Sequence, residues 1–106
     1  MTPSPPPGER GAALEARKER KERILRRIRA IPPGFVRTYG DIDRHAPRLV
    51  GRVLATSDAV LPWHRVVRSD GSVPMASLQI ALLVEEGVPM HGDRVDLGQA
   101  RLAANF

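Results

Sequence analysis

The sequence predicts a mainly α domain, a winged-helix-like helix-turn-helix with a small β-hairpin, on three observations. Residues Glu9 to Ala30 contain no proline and one glycine, and place Glu15, Glu19 and Glu22 three or four residues from Arg or Lys, the spacing of helical ion pairs. Two short helix signals then flank a tight break at His45-Ala46-Pro47, the second carrying Arg48 and Arg52 four residues apart. Further on, Val66-Val67 and Ser72-Val73 enclose the turn signal Ser69-Asp70-Gly71-Ser72 and predict the hairpin.

In chain order, residues 1–8 are proline-rich and read as a disordered tail. Residues 9–22 read as a basic helical extension, because the stripe of Ile24, Leu25, Ile28 and Ile31, continued backwards, meets Lys21 and Arg17. Residues 23–106 form the domain proper. Ile31-Pro32-Pro33-Gly34 stops the helix, since proline lacks the amide donor and disfavours helix in its predecessor. Thr38 or Asp41 caps a short helix that ends at His45-Ala46-Pro47. Pro47, suited to a first helical turn, opens the next helix, which runs to Ala55. The last amphipathic helix spans Ser77 to Glu86, with Leu78, Ala81, Leu82 and Leu83 expected inward and Gly87 as its stop.

Composition narrows the chemistry. The 106 residues suit one domain, and 42% hydrophobic with 27% charged residues is ordinary globular usage. No apolar run approaches the roughly 20 residues of a membrane helix and no signal segment opens the chain, so no membrane partner and a cytoplasmic location are expected. Cysteine is absent, which excludes thiolate metal sites and any cysteine nucleophile. His45, His64 and His91 are scattered, so neither a metal nor another cofactor is expected. A Ser57, Asp58 and His64 triad lacks the sharp turn that exposes such a nucleophile, and no catalytic residue is assigned.

Lys and Arg number 17 against 12 acidic residues, a net charge of +5. Residues 1–30 hold nine basic and four acidic side chains and the rest eight of each, so the excess lies wholly at the N-terminal end. A polyanionic partner fits this balance. The basic run reads either as a solvated helical face or as a contact to a nucleic-acid backbone.

One ordered set of short motifs goes further. Pro33-Gly34, Thr38-Tyr39-Gly40, Arg48-Leu49-Val50-Gly51, Pro62-Trp63-His64-Arg65-Val66, Ser69-Asp70-Gly71 and Glu86-Gly87 follow one another in the chain. Over roughly residues 20–97 this set resembles the DNA-binding domain of the O6-alkylguanine-DNA alkyltransferases. That family carries Pro-Cys-His-Arg-Val with the cysteine as alkyl acceptor, and Trp63 stands in its place, the replacement that marks the alkyltransferase-like proteins.

The resemblance implies a non-enzymatic protein that binds double-stranded DNA, flips O6-alkylguanine out of the helix and flags it for nucleotide excision repair, with excision-repair proteins as partners and a monomer as the working form. It implies DNA contact by Tyr39, Arg48, Gly51 and Arg52, with Tyr39 crowding a phosphate and Arg48 filling the gap left by the flipped base. Without it, Arg48 is a surface arginine and Tyr39 a packing residue. It implies a lesion pocket of Tyr39, Trp63, His64 and Arg65, completed by Val66, Met75 and Ala76. His64 and Glu86, which in the enzymes activate the cysteine through a water, are expected here as a structural network. Two departures stand out: Ala55-Thr56-Ser57-Asp58 replaces an asparagine hinge in a shortened loop, and Val73-Pro74-Met75-Ala76 offers no cation to a bound base, unless Arg68 reaches in. A helix-turn-helix transcriptional regulator and a pseudoenzyme serving as a protein-interaction module are the alternatives.

Overall fold

The computed structural model describes residues 7–104. Residues 1–6 of the expected tail lie outside the described residues, whereas Pro7 and Gly8 already belong to the first helix. That helix, α1 (Pro7–Arg29), runs unbroken for 23 residues. Its packing begins where the apolar stripe begins: Ile24 and Ile28 are buried, as is Ile31 just beyond its end, while residues 10–19 are exposed. The molecule measures 52 × 28 × 24 Å along its principal axes.

The chain then enters strand β1 (Arg37–Thr38), helix α2 (Tyr39–Ile42) and helix α3 (Pro47–Thr56). Thr38 and Asp41 form a reciprocal cap, the Asp41 amide donating to Thr38 Oγ1 and the Thr38 amide to Asp41 Oδ2, each at 3.1 Å. Asp43 ties the turn between α2 and α3 by accepting from the amides of His45 and Ala46 at 3.1 and 3.2 Å. Pro47 stands in the first turn of α3, where a missing amide leaves nothing unsatisfied. Ile42 from α2 and Val50 and Val53 from α3 pack on Ile24 and Ile28, which makes α1 the support of the helix-turn-helix.

A short 3-10 turn, Trp63–Arg65, leads into β2 (Val66–Val67), which pairs in parallel with β1. Strand periodicity sends its two valines to opposite faces: Val66 joins the α1–α3 cluster, and Val67 joins a second cluster with Val36, Leu83 and Val95. The expected pairing of Val66-Val67 with Ser72-Val73 is therefore corrected. The turn itself is present, with the Arg68 amide donating to the Ser72 carbonyl at 3.0 Å, but β2 finds its partner in β1. The hairpin lies later, between β3 (Met90–His91) and β4 (Arg94–Val95), around Gly92 at φ +61°. It docks on the Arg68–Ser72 turn, where the Val95 amide donates to the Gly71 carbonyl at 2.9 Å; a Cβ at Gly71, whose φ is +83°, would stand 2.5 Å from the Val95 carbonyl oxygen.

Helix α4 (Ala76–Glu85) buries Leu83 as expected and leaves Leu82 half-buried, but its inward face is shifted from the one expected. Leu78 and Ala81 are exposed, while Gln79 and Leu83, four apart, are buried. Helix α5 (Leu97–Ala100) closes the second cluster through Ala100.

Candidate nucleic-acid interface

The 3-10 turn at Trp63 determines what each of its residues faces. Successive side chains on such a turn point about 120° apart, so neighbours cannot share a wall. Trp63 faces a cleft of about 420 Å³ bounded by Tyr39 from α2, Gly51, Leu54 and Ala55 from α3, and Pro74, Met75 and Gln79 at the start of α4. None of these side chains carries a charge. The amide of Gln79, nearly fully buried, is spent inside the protein: Nε2 donates to the carbonyls of His64 and Val66 at 3.0 and 2.9 Å, and Oε1 accepts from the Met75 amide at 3.2 Å. The same bond to Met75 braces the backbone where Ala76 takes φ +44°, a strained value for a residue with a Cβ.

Of the seven residues expected in the pocket, Tyr39, Trp63 and Met75 line this cleft, and four do not. Val66 is fully buried in the core, and Ala76 is exposed at the head of α4. His64 and Arg65 turn instead to Glu86. Arg65 grips that carboxylate at 2.7 to 3.1 Å and donates through Nη1 to the Ile31 carbonyl at 2.9 Å, and His64 Nε2 meets Glu86 Oε1. Burial alone would push the Glu86 carboxyl up, but the hydrogen bonds and charges of Arg65 and His64 outweigh it and hold it below the usual carboxylate range. This half-buried network fastens the Trp63 turn to the end of α4 and to the end of α1.

Beside the cleft, and sharing Tyr39 and Gly51 with it, runs a shallow groove that also takes in Pro47, Arg48, Arg68 and Ser69. Arg48 is the second residue of α3 and Arg52 lies one turn on. Both are exposed, and neither side chain makes a hydrogen bond or ion pair among the described residues. Burial pushes the Tyr39 hydroxyl up and the Arg68 guanidinium acts against it, which puts Arg68 within electrostatic reach of Tyr39. Gly51 keeps α3 thin where groove and cleft meet; a Cβ there would come no closer than 3.8 Å to the Tyr39 ring, an ordinary contact.

Four wall residues are absent from the expected site: Leu54, Ala55, Pro74 and Gln79. Gln79 had a readable signal, a single amide in the otherwise apolar run Leu78-Gln79-Ile80-Ala81-Leu82-Leu83. A polar side chain at such a position is either exposed or fully hydrogen-bonded.

Residues 19–88 match the family described as 6-O-methylguanine DNA methyltransferase, DNA binding domain. A protein of Escherichia coli (strain K12) named DNA base-flipping protein is 37% identical over 92 residues, which cover 76% of this chain and 71% of that protein. Its namesake in Shigella flexneri gives the same figures. Among solved structures, S. pombe Atl1 in complex with damaged DNA containing O6-carboxymethylguanine superposes with a TM-score of 0.70 at 26% identity, over 81% of this chain and 96% of that one. A structure of S. pombe ATL in complex with DNA superposes at 0.60 with 29% identity, over 83% and 92%.

Proposed function

Because this chain belongs to the 6-O-methylguanine DNA methyltransferase DNA-binding-domain family, we propose that it binds duplex DNA, rotates an O6-alkylguanine out of the stack into the Trp63 cleft and holds it there chemically unchanged. The observation that carries this reading is Trp63 itself. It follows Pro62 at the position where the family's acceptor cysteine stands, and its indole is a wall of the cleft that Tyr39 and Gly51 share with the α3 groove. An indole neither ionises nor offers a nucleophilic lone pair, and the sequence holds no cysteine to serve instead.

The rest of the cleft suits the same task. Small residues on α3, Gly51 and Ala55, permit the close approach that minor-groove binding demands, and the degenerate code of that groove suits a protein that inspects every site. Arg48, exposed and uncommitted, supplies a planar guanidinium able to stack on bases and donate to an orphaned partner. Extrusion costs a few kcal/mol and costs least where pairing is already weakened, so selection begins before the pocket is reached. The apolar walls accept an alkyl group without a polar group left unpaired. A tight, unreactive complex requires a successor, and nucleotide excision repair is the recipient we propose.

The test compares matched duplexes with and without one O6-methylguanine, and then recovers the lesion strand for mass analysis. Tighter binding of the lesion duplex with the methyl group still on guanine is the expected result. Equal binding of both duplexes, sequence preference for a palindrome, or a methylated protein would each contradict the proposal.

A further inference from the structure

A second cleft, of about 450 Å³, lies between α1 and the turn joining α2 to α3. Arg20, Arg23 and Arg27 line it from α1, spaced i, i+3 and i+7 and so on one face, and Arg44 and His45 line it from the turn. Asp43 is its single acid. That carboxylate is fully engaged: Arg20 holds it bidentately at 2.8 and 3.0 Å, and it caps the amides of His45 and Ala46. Arg27 is likewise committed, donating to the Ile42 carbonyl at 2.6 Å. Arg23 and Arg44 are exposed, and neither they nor the His45 ring make a hydrogen bond or ion pair among the described residues.

We propose that this cleft is a phosphate-binding site, in which Arg23 and Arg44, with His45 beside them, take a backbone phosphodiester of the DNA flanking the lesion. The proposal rests on the DNA-binding reading above and adds a contact outside the Trp63 cleft and the α3 groove. Two committed arginines build the floor and fix the geometry, and two uncommitted guanidiniums face one volume, the arrangement that recognises a tetrahedral oxyanion through paired donors. The position favours DNA over an acidic protein. The turn runs directly into Pro47 and Arg48, so this cleft adjoins the start of the helix whose Arg48 borders the α3 groove. Such a contact fixes register and carries no sequence information, as a lesion scanner requires.

The experiment uses the full chain and a duplex with one central O6-methylguanine, titrated at several salt concentrations, with the parent, R23Q/R44Q and R23K/R44K. Neither arginine has an intramolecular partner, so the variants should keep the parental thermal melt. For R23Q/R44Q we expect roughly tenfold weaker binding at low salt and a log–log salt slope shallower by about 1, since the one neutralised phosphate contributes about 0.9. The lysine pair should restore most of the slope. Methylphosphonates walked along the backbone should reveal a flanking position that weakens the parent and leaves R23Q/R44Q unaffected. Parental affinity and slope in R23Q/R44Q would overturn this site alone, the more so if that variant loses binding to polyglutamate. A parent that binds no duplex at all would remove the DNA-binding reading and this site with it.

Discussion

The Gln79 side-chain amide donates to the Val66 carbonyl at 2.9 Å, and with its other hydrogen reaches the His64 carbonyl at 3.0 Å, so one buried glutamine in α4 holds both ends of the segment that follows Trp63. Leucine at this position would keep the volume and leave those carbonyls and the Met75 amide without their partner. Gln79→Leu should therefore destabilise the fold by about 2–4 kcal/mol, the cost of leaving buried polar groups unsatisfied, read as a lowered urea midpoint at unchanged m-value. A neutral effect would mean that the Trp63 turn is held by the Glu86 network alone.

Gly51 separates stability from binding. A methyl group there meets only the Tyr39 ring at an ordinary 3.8 Å, and alanine is the better helix former by about 0.8–1 kcal/mol. Gly51→Ala should raise the melting temperature by a few degrees and weaken DNA binding severalfold, by thickening α3 where the groove must approach. Anisotropy titrations beside thermal melts check both signs.

Arg48 and Arg26 are both exposed, but only Arg48 borders the groove shared with Tyr39. Arg48→Ala should weaken lesion binding by more than tenfold, while Arg26→Ala costs no more than one backbone contact. With a fluorescent base analogue opposite or beside the lesion, the brightening caused by the parent should be largely lost with Arg48→Ala. Equal losses in the two variants would reduce Arg48 to a phosphate contact.

Acid should loosen the helix-turn-helix and the Trp63 turn together. Asp41 is held below the usual carboxylate range first by hydrogen bonds from Arg101, and Asp43 far below it first by hydrogen bonds from Arg20, each against the pull of burial. Glu86 is also held below that range, burial pushing it up and the hydrogen bonds and charges of Arg65 and His64 prevailing. Carboxyls with depressed values in the fold stabilise it fully above the unfolded value near 4 and lose that contribution as pH falls through the folded values. Melting temperature should be flat from neutral pH down to about 5 and decline progressively below about 4. Asp43→Asn should lower stability at pH 7 and flatten the acid limb.

Much of this was legible in the residues, for reasons that can be stated one by one. The helix-turn-helix and its support rest on local chemistry: Thr38 and Asp41 form a reciprocal cap, Pro47 suits a first turn, and Ile24, Ile28 and Ile31 bury as their stripe requires. The hairpin was misplaced because the turn signal at Ser69–Ser72 is real while strand pairing is a tertiary choice; Arg37–Thr38, distant in sequence, captured Val66-Val67. The actual hairpin, Met90-His91 with Arg94-Val95, exposes three of its four strand residues or leaves them half covered, so it carries little apolar signal. In α4 the count of leucines outvoted Gln79, yet Leu78 is 55% exposed, because the helix packs through Gln79 and Leu83 against β2 and the strand-bearing cluster. Motif order located Trp63 and Tyr39 and set His64 beside Glu86, while the 3-10 turn, invisible in a motif, brought Arg65 to the same carboxylate and kept both His64 and Arg65 out of the cleft.

The central claim is that a flipped O6-alkylguanine rests against Trp63, and the protein carries its own reporter for it, since Trp63 is the single tryptophan of the sequence. Stacking of a base on the indole quenches its emission. Titration with a duplex containing O6-methylguanine should quench Trp63 saturably and reversibly with salt, whereas the matched duplex, bound but not flipped, should leave the emission nearly unchanged. Quenching to the same extent by both duplexes, or emission unmoved by a lesion duplex that anisotropy shows to be bound, would contradict the account.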